Sequence, residues 1–237
     1  IIVYSDYSLH RLESLGFDNV TRIYPGIDLT LYRPQEKDRD ALAHFDLTEK
    51  DFVVMYPGEY VRLGATDMLA DWLISYFTRH PESDMKFIFA CRLKHEDDRL
   101  KKESIEKRFR EAGVIGHIRF TDTYADMPKL YNLADIMAFP VGDMRGKFDV
   151  PLVIIEAYAC GKPVILSDLP IFSEFSNPDI CASIPRGAAE KLEEKLAYLK
   201  DNPDARARLS QNARAFVEER FDLRKTVEQY ERIYDSL

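Results

Sequence analysis

Glu156 sits in the second turn of an otherwise apolar helical run, Pro151-Leu152-Val153-Ile154-Ile155-Glu156-Ala157-Tyr158. A carboxylate at least partly buried there must be paired or must accept hydrogen bonds. The plain partner is a neighbouring Arg or Lys; otherwise some other donor must satisfy it. Arg62 is the second residue of interest. It lies in Gly58-Glu59-Tyr60-Val61-Arg62-Leu63-Gly64, a loop that runs from the carboxyl end of a strand to a helix N-terminus, where open α/β sheets bind phosphates. A guanidinium fork matches phosphate oxygens, although most arginines are simply solvated. Arg92 follows the carboxyl end of another strand and is a further candidate for a phosphate-bearing ligand, with a salt bridge to a carboxylate as the alternative.

These residues depend on a regular alternation of elements. Phe52 to Tyr56 is a buried strand ending at Pro57-Gly58, and Gly64 precedes a helix from about 66 to 79 with Met68, Leu69, Trp72, Leu73, Tyr76 and Phe77 on one face. Strands follow at 85–90, 117–121 and 135–140, with a charged, solvated helix over 95–110 and another whose face is Leu130, Tyr131 and Leu133. Pro151 suits a first helical turn, Leu152, Ile155 and Tyr158 recur at helical spacing, and Gly161 stops the helix before the strand Val164-Ile165-Leu166. A weaker strand at 180–184 and helices near 188–199, 205–220 and 221–237 complete the chain, which opens with short strands at 1–5 and 20–24 around a helix. Strands alternating with helices at this spacing predict an α/β, Rossmann-like fold: a parallel sheet with helices on both faces.

Composition narrows the partners. A net charge of −8 argues against nonspecific binding to nucleic acid or an anionic membrane, while leaving room for a local basic pocket. Cys91, Cys160 and Cys181 have neither CxxC spacing nor an even count, so no disulfide and no zinc site are expected, and the five histidines show no ligand spacing. No apolar run reaches the length needed to span a bilayer. There is no GxGxxG fingerprint. The start at Ile1 rather than Met suggests a piece of a longer protein.

The run Glu156-Ala157-Tyr158-Ala159-Cys160-Gly161-Lys162-Pro163-Val164-Ile165, with Ser167-Asp168 and Glu174 after it, resembles the signature of family 4 glycosyltransferases of the GT-B fold. Ser5, Leu12, Gly16, Val20, Ile23, Pro25-Gly26-Ile27-Asp28 and Pro34 resemble the passage that joins the two domains in that family. The resemblance implies the C-terminal half of a GT-B fold, divided as residues 1–34 for the junction, 35–220 for the donor-binding domain and 221–237 for a helix packing back toward an N-terminal domain. It implies transfer of a hexosyl group from a nucleotide diphosphate sugar, with retention, and no metal or other cofactor. The nucleotide-sugar donor is the expected partner. A saccharide or lipid-linked acceptor would be met through the N-terminal domain, and the isolated chain is expected to be inactive. A cytoplasmic location, with peripheral association at the inner membrane for the full-length protein, belongs to the same expectation.

The roles implied by the resemblance fall on particular residues. Glu156 would accept the ribose hydroxyls, Arg62 and Arg92 would hold the diphosphate, and the loop glycines Gly58 and Gly64 would let it approach. The amides of Val150, Leu152 and Val153 would face the phosphate and sugar, and Tyr124 would border the base, unless it is a half-buried loop aromatic. Two positions depart from the family. Leu63 stands where a lysine is common, and Phe148 stands where a first glutamate precedes the second, leaving Asp149 as the nearest carboxylate for the sugar or for charge stabilisation. The loop Gly142-Asp143-Met144-Arg145-Gly146-Lys147 is also longer than usual. A GT-B sugar-nucleotide epimerase and a noncatalytic, degenerate glycosyltransferase-like module are the alternatives; nucleobase, sugar, acceptor and oligomeric state are not legible.

Overall fold

Two parallel sheets of unequal size organise the chain. The computed structural model describes residues 1–144 and 147–236, so Arg145 and Gly146 of the long loop lie outside the described residues. β1 (Ile2–Val3) and β2 (Thr21–Arg22) pair in parallel around α1 (Asp6–Ser14). The strands expected over 1–5 and 20–24 shorten to these pairs, since each has only the other to bond with.

After α2 (Arg39–His44) the chain alternates through β3 (Phe52–Tyr56), α3 (Thr66–Arg79), β4 (Met85–Phe89), α4 (Glu96–Glu111), β5 (Ile118–Phe120), α5 (Met127–Leu133), β6 (Ile136–Phe139), α6 (Leu152–Ala159), β7 (Val164–Ser167) and β8 (Cys181–Ile184). The six strands are all parallel, in the order β5-β4-β3-β6-β7-β8. This is the α/β, Rossmann-like sheet that the alternation predicts. Val53, Val54, Met55 and Tyr56 are fully buried, as an unbroken apolar strand covered on both faces must be.

The order has one functional consequence. The chain starts in the middle at β3, works outward through β4 and β5, and restarts on the other side at β6. Loops at the carboxyl ends of β3 and β6 therefore leave in opposite directions, which opens a crevice between them. Register widens it: β3 pairs with β4 from Phe52↔Met85 to Tyr56↔Phe89, but with β6 only through Val54↔Ile136 and Met55↔Met137.

The longer helices between the strands each bury one stripe. α4 reads as solvated in sequence, yet Ile105 and Phe109 anchor it in the core with no exposure. α7 (Ala189–Asp201), α8 (Pro203–Arg220) and α9 (Leu223–Asp235) close the fold, α8 starting at its proline, where a missing N–H costs no intrahelical bond. α9 lies back on the first segment. Ile27 N donates to Phe221 O at 2.7 Å, Leu223 N donates to Ile27 O at 3.1 Å, and the Thr226 hydroxyl donates to Tyr24 O at 3.1 Å. Gly26 permits the contact, because a Cβ there would lie 2.5 Å from Leu223 Cα. On the outer side of α9, Tyr234 is 66% exposed and Tyr230 half-buried. Cys91, Cys160 and Cys181 are buried and unpaired. Among the described residues, no helix is long and apolar enough to cross a membrane.

Candidate functional site

A cavity of about 700 Å³ occupies the crevice. Its wall is built from the carboxyl ends of the strands: Gly58 and Glu59 after β3, Arg92 and Lys94 after β4, Thr121 and Tyr124 after β5, then Lys147, Phe148 and Val150 ahead of α6. The first turn of α6 and Glu156 close one end.

Glu156 is held by tyrosines rather than by a cation. The Tyr131 hydroxyl donates to Glu156 Oε2 at 2.7 Å, and the nearby Tyr32 hydroxyl also favours the charged form. Burial pushes the Glu156 carboxyl above its ordinary value; the two hydroxyls and the charge of Arg92 pull the other way without cancelling it. The carboxylate is therefore anchored yet electrostatically unsatisfied. Tyr131 is wholly buried, so its ring and its place on α5 fix where the carboxylate points.

At the start of α6, Pro151 accepts the first intrahelical bonds, from Ile154 N at 2.8 Å and Ile155 N at 3.3 Å. The amides of Leu152 and Val153 precede them and belong to the unpaired end of the helix, beside the cavity. Leu152, expected on the buried stripe with Ile155 and Tyr158, is instead 39% exposed, because the first turn stands at the cavity rim; Ile155 and Tyr158 are buried.

Of the expected residues, Gly58, Arg92, Tyr124, Val150, Leu152, Val153 and Glu156 all line this cavity. Gly58 has a steric reason as well: a Cβ there would lie 2.0 Å from Tyr56 Cζ, inside a ring that is fully buried. Tyr124 is half-buried, packing on Phe45 with ring centroids 5.2 Å apart while it borders the cavity.

Three residues stand elsewhere. Arg62 is not in the cavity wall: Tyr60 and Leu63 are the buried anchors of its loop, so Val61 and Arg62 between them face solvent, with the Arg62 side chain 52% exposed and Nε 3.9 Å from Glu59 Oε2. Gly64, at φ +68°, faces a shallower groove between α3 and α4, and its role is to turn the chain into α3. Asp149 points away from the cavity to the N-terminus of α1, where Oδ2 accepts the hydroxyls of Ser5 and Ser8. Ser5 is buried and caps α1 by accepting from Ser8 N at 3.0 Å, so its hydroxyl proton needs an internal acceptor. Glu174 reaches the same helix end, its Oε2 accepting from Asp6 N at 2.8 Å and Tyr7 N at 3.2 Å. Phe148 lines the cavity and rests on Tyr4, with ring centroids 5.0 Å apart.

Sequence reasoning overlooked Glu59, Lys94 and Lys147. Glu59 Oε1 accepts Lys94 Nζ at 2.6 Å and also Lys147 Nζ, and all three residues line the cavity. Position was the available signal, since Glu59 shares its loop with Arg62, and Lys94, like Arg92, follows β4. Among the described residues, no group of three His, Cys, Asp or Glu side chains is arranged to hold a metal ion.

Residues 73–216, more than half of the chain, match the family model described as "Glycosyl transferases group 1". The chain is 28% identical over 164 residues to D-inositol 3-phosphate glycosyltransferase of Rhodococcus erythropolis, covering 68% of this chain and 36% of that protein. It is 25% identical over 221 residues to the GDP-mannose-dependent monoacylated alpha-(1-6)-phosphatidylinositol monomannoside mannosyltransferase of Corynebacterium glutamicum, covering 90% of this chain and 56% of that protein. The chain thus spans no more than 56% of the length of either relative. Among solved structures, Anabaena Alr3699/HepE in complex with UDP and glucose superposes with a TM-score of 0.84 at 20% identity, covering 100% of this chain and 62% of that one.

Proposed function

Because the chain belongs to the glycosyl transferases group 1 family, we propose that its cavity holds the donor, a nucleotide diphosphate sugar, for a retaining hexosyltransferase. The observation that carries this reading is Glu156, a half-buried carboxylate held by the Tyr131 hydroxyl in the wall of a cavity of about 700 Å³. An acceptor of this kind suits the ribose diol. The unpaired amides of Leu152 and Val153 suit the phosphate and sugar, with Arg92 nearby and Tyr124 bordering the base.

In such a reaction the bond between anomeric carbon and phosphate oxygen breaks as an acceptor hydroxyl oxygen bonds to the same carbon, and negative charge develops on the departing diphosphate. Cations and helix amides already aimed at that charge stabilise it without reorganising. The acceptor, a saccharide or a lipid-linked acceptor, would be met by a further domain. The exposed apolar side chains of Tyr7, Leu15 and Phe17 near α1, and of Val227 and Tyr234 on α9, support such a packing surface.

A thermal-shift panel tests the reading: UDP, GDP, ADP, CDP and dTDP, with UDP-glucose and GDP-mannose. Ligand at about 100 times its dissociation constant adds roughly 2.7 kcal/mol of stability. A selective shift with one base is expected. The absence of any shift from folded protein would count against donor binding.

A further inference from the structure

Three cations converge on one carboxylate beside the cavity, more than a structural pairing requires. Lys94 Nζ lies 2.6 Å from Glu59 Oε1, Lys147 Nζ bonds the same oxygen, and Arg62 Nε stands 3.9 Å from Oε2. The Glu59 side chain is only 13% exposed and that of Lys147 only 20%. One lysine would neutralise Glu59; a second ammonium on the same oxygen adds repulsion between like charges. Burial pushes the Glu59 carboxyl up, but Lys147 and Lys94 outweigh it and hold the group below its ordinary range, so it stays ionised. The three groups come from separate loops, after β3, after β4 and ahead of α6, and they meet in the wall of the same cavity as the unpaired amides of Leu152 and Val153.

We propose that Lys94 and Lys147 are the cations that receive the donor's diphosphate, and that Glu59 is the internal counter-ion that gathers them and yields them to the ligand. This rests on the donor-binding reading above, and it gives the phosphate contact to two lysines inside the cavity instead of Arg62 outside it. No covalent bond changes in the exchange. Each ammonium trades part of its contact with Glu59 for a phosphate oxygen, and Glu59, still charged, opposes the incoming anion and limits how tightly it is held.

That opposition supplies the test. Affinities of the parent and variants for UDP, UMP and uridine, and for GDP, GMP and guanosine, are measured by titration calorimetry at two salt concentrations. Replacing both lysines (Lys94→Ala with Lys147→Ala) is expected to weaken diphosphate binding roughly tenfold or more, to weaken the monophosphate less and to leave the nucleoside unchanged. Glu59→Gln is expected to tighten diphosphate binding. Lys147→Arg, which keeps the charge, should retain affinity and guards against a merely misfolded alanine variant. A structural triad predicts otherwise: Glu59→Gln and the lysine variants break the same contacts and shift affinity in the same direction, which would overturn the proposal. Unchanged diphosphate affinity in the lysine variants, alongside weakened binding in Glu156→Ala, overturns it while leaving the donor reading intact. Folded parent protein that binds none of these probes and shows no thermal shift with ADP, CDP or dTDP overturns both.

Discussion

Tyr131 places its hydroxyl 2.7 Å from Glu156 Oε2, so a fully buried residue of α5 fixes the direction of a carboxylate on α6. Removing that donor leaves a half-buried acceptor with only the nearby Tyr32 hydroxyl to favour its charge. Tyr131→Phe is expected to cost about 1–3 kcal/mol at neutral pH. Urea denaturation at neutral and at acidic pH checks this. The cost should shrink once Glu156 is protonated, and an equal cost at both would mean that the lost packing, not the hydrogen bond, matters.

The pH dependence of stability follows from the same carboxylate. Its folded pKa lies above the ordinary 4.5, with burial the largest cause. The native state then holds the proton more tightly than the unfolded chain, so this residue's contribution to stability falls as pH rises from 4.5 through the raised value. Glu156→Gln carries no titrating group. Its stability relative to the parent should increase across that window in a melting series, whereas a constant difference would show that the carboxyl titrates normally in the fold.

Lys162 gives the opposite slope. Burial pushes its ammonium down to about 8 from 10.5, with Asp135 pulling partly back, while Nζ donates to Asn132 O at 3.2 Å. Between those values the unfolded chain binds more protons, so stability should rise with pH through the window. Lys162→Met is expected to flatten that rise and to be more stable than the parent at neutral pH, read by chemical denaturation on either side of pH 8. A variant that keeps the slope would assign it to other groups.

Asp149 and Ser5 form a coupled pair across the chain. Loss of an N-cap costs about 1 kcal/mol, and Ser5 is both a cap and a buried donor to Asp149. In a double-mutant cycle, Ser5→Ala and Asp149→Asn should each destabilise, and the two together should cost less than the sum. Strict additivity would separate them.

Gly58→Ala tests the floor of the cavity. A Cβ at that position meets the ring of Tyr56, which has no room to retreat. The substitution is expected to destabilise by roughly 1–3 kcal/mol, the scale of an overpacked core, and to weaken nucleotide binding along with it. A Tyr56→Leu background, which removes the ring, should relieve the clash.

Local signals were enough for the sheet. β3 was legible because Phe52 to Tyr56 is an unbroken apolar run stopped by Pro57-Gly58, and α3 because its apolar residues repeat at helical spacing. Glu156 was conspicuous for the converse reason, as a charge inside such a run. The Glu59 cluster was not legible: Lys94 lies 35 residues from Glu59 and Lys147 lies 88, and only the strand order brings them together. Asp149 misled in the same way. Its place beside Phe148 suggested the cavity, but its carboxylate is taken instead by the hydroxyls of Ser5 and Ser8, 144 and 141 residues away in the chain. Leu152 shows the limit of periodicity, which marks a stripe on a helix and cannot tell core from an open cleft.

The end of α1 is gripped twice, by Asp149 through two serines and by Glu174 through two amides. Asp149 is flanked by Phe148 and Val150, both in the cavity wall. The start of the first helix and the cavity wall are thus pinned to one another through a single residue, with Asp149 as the rivet between them.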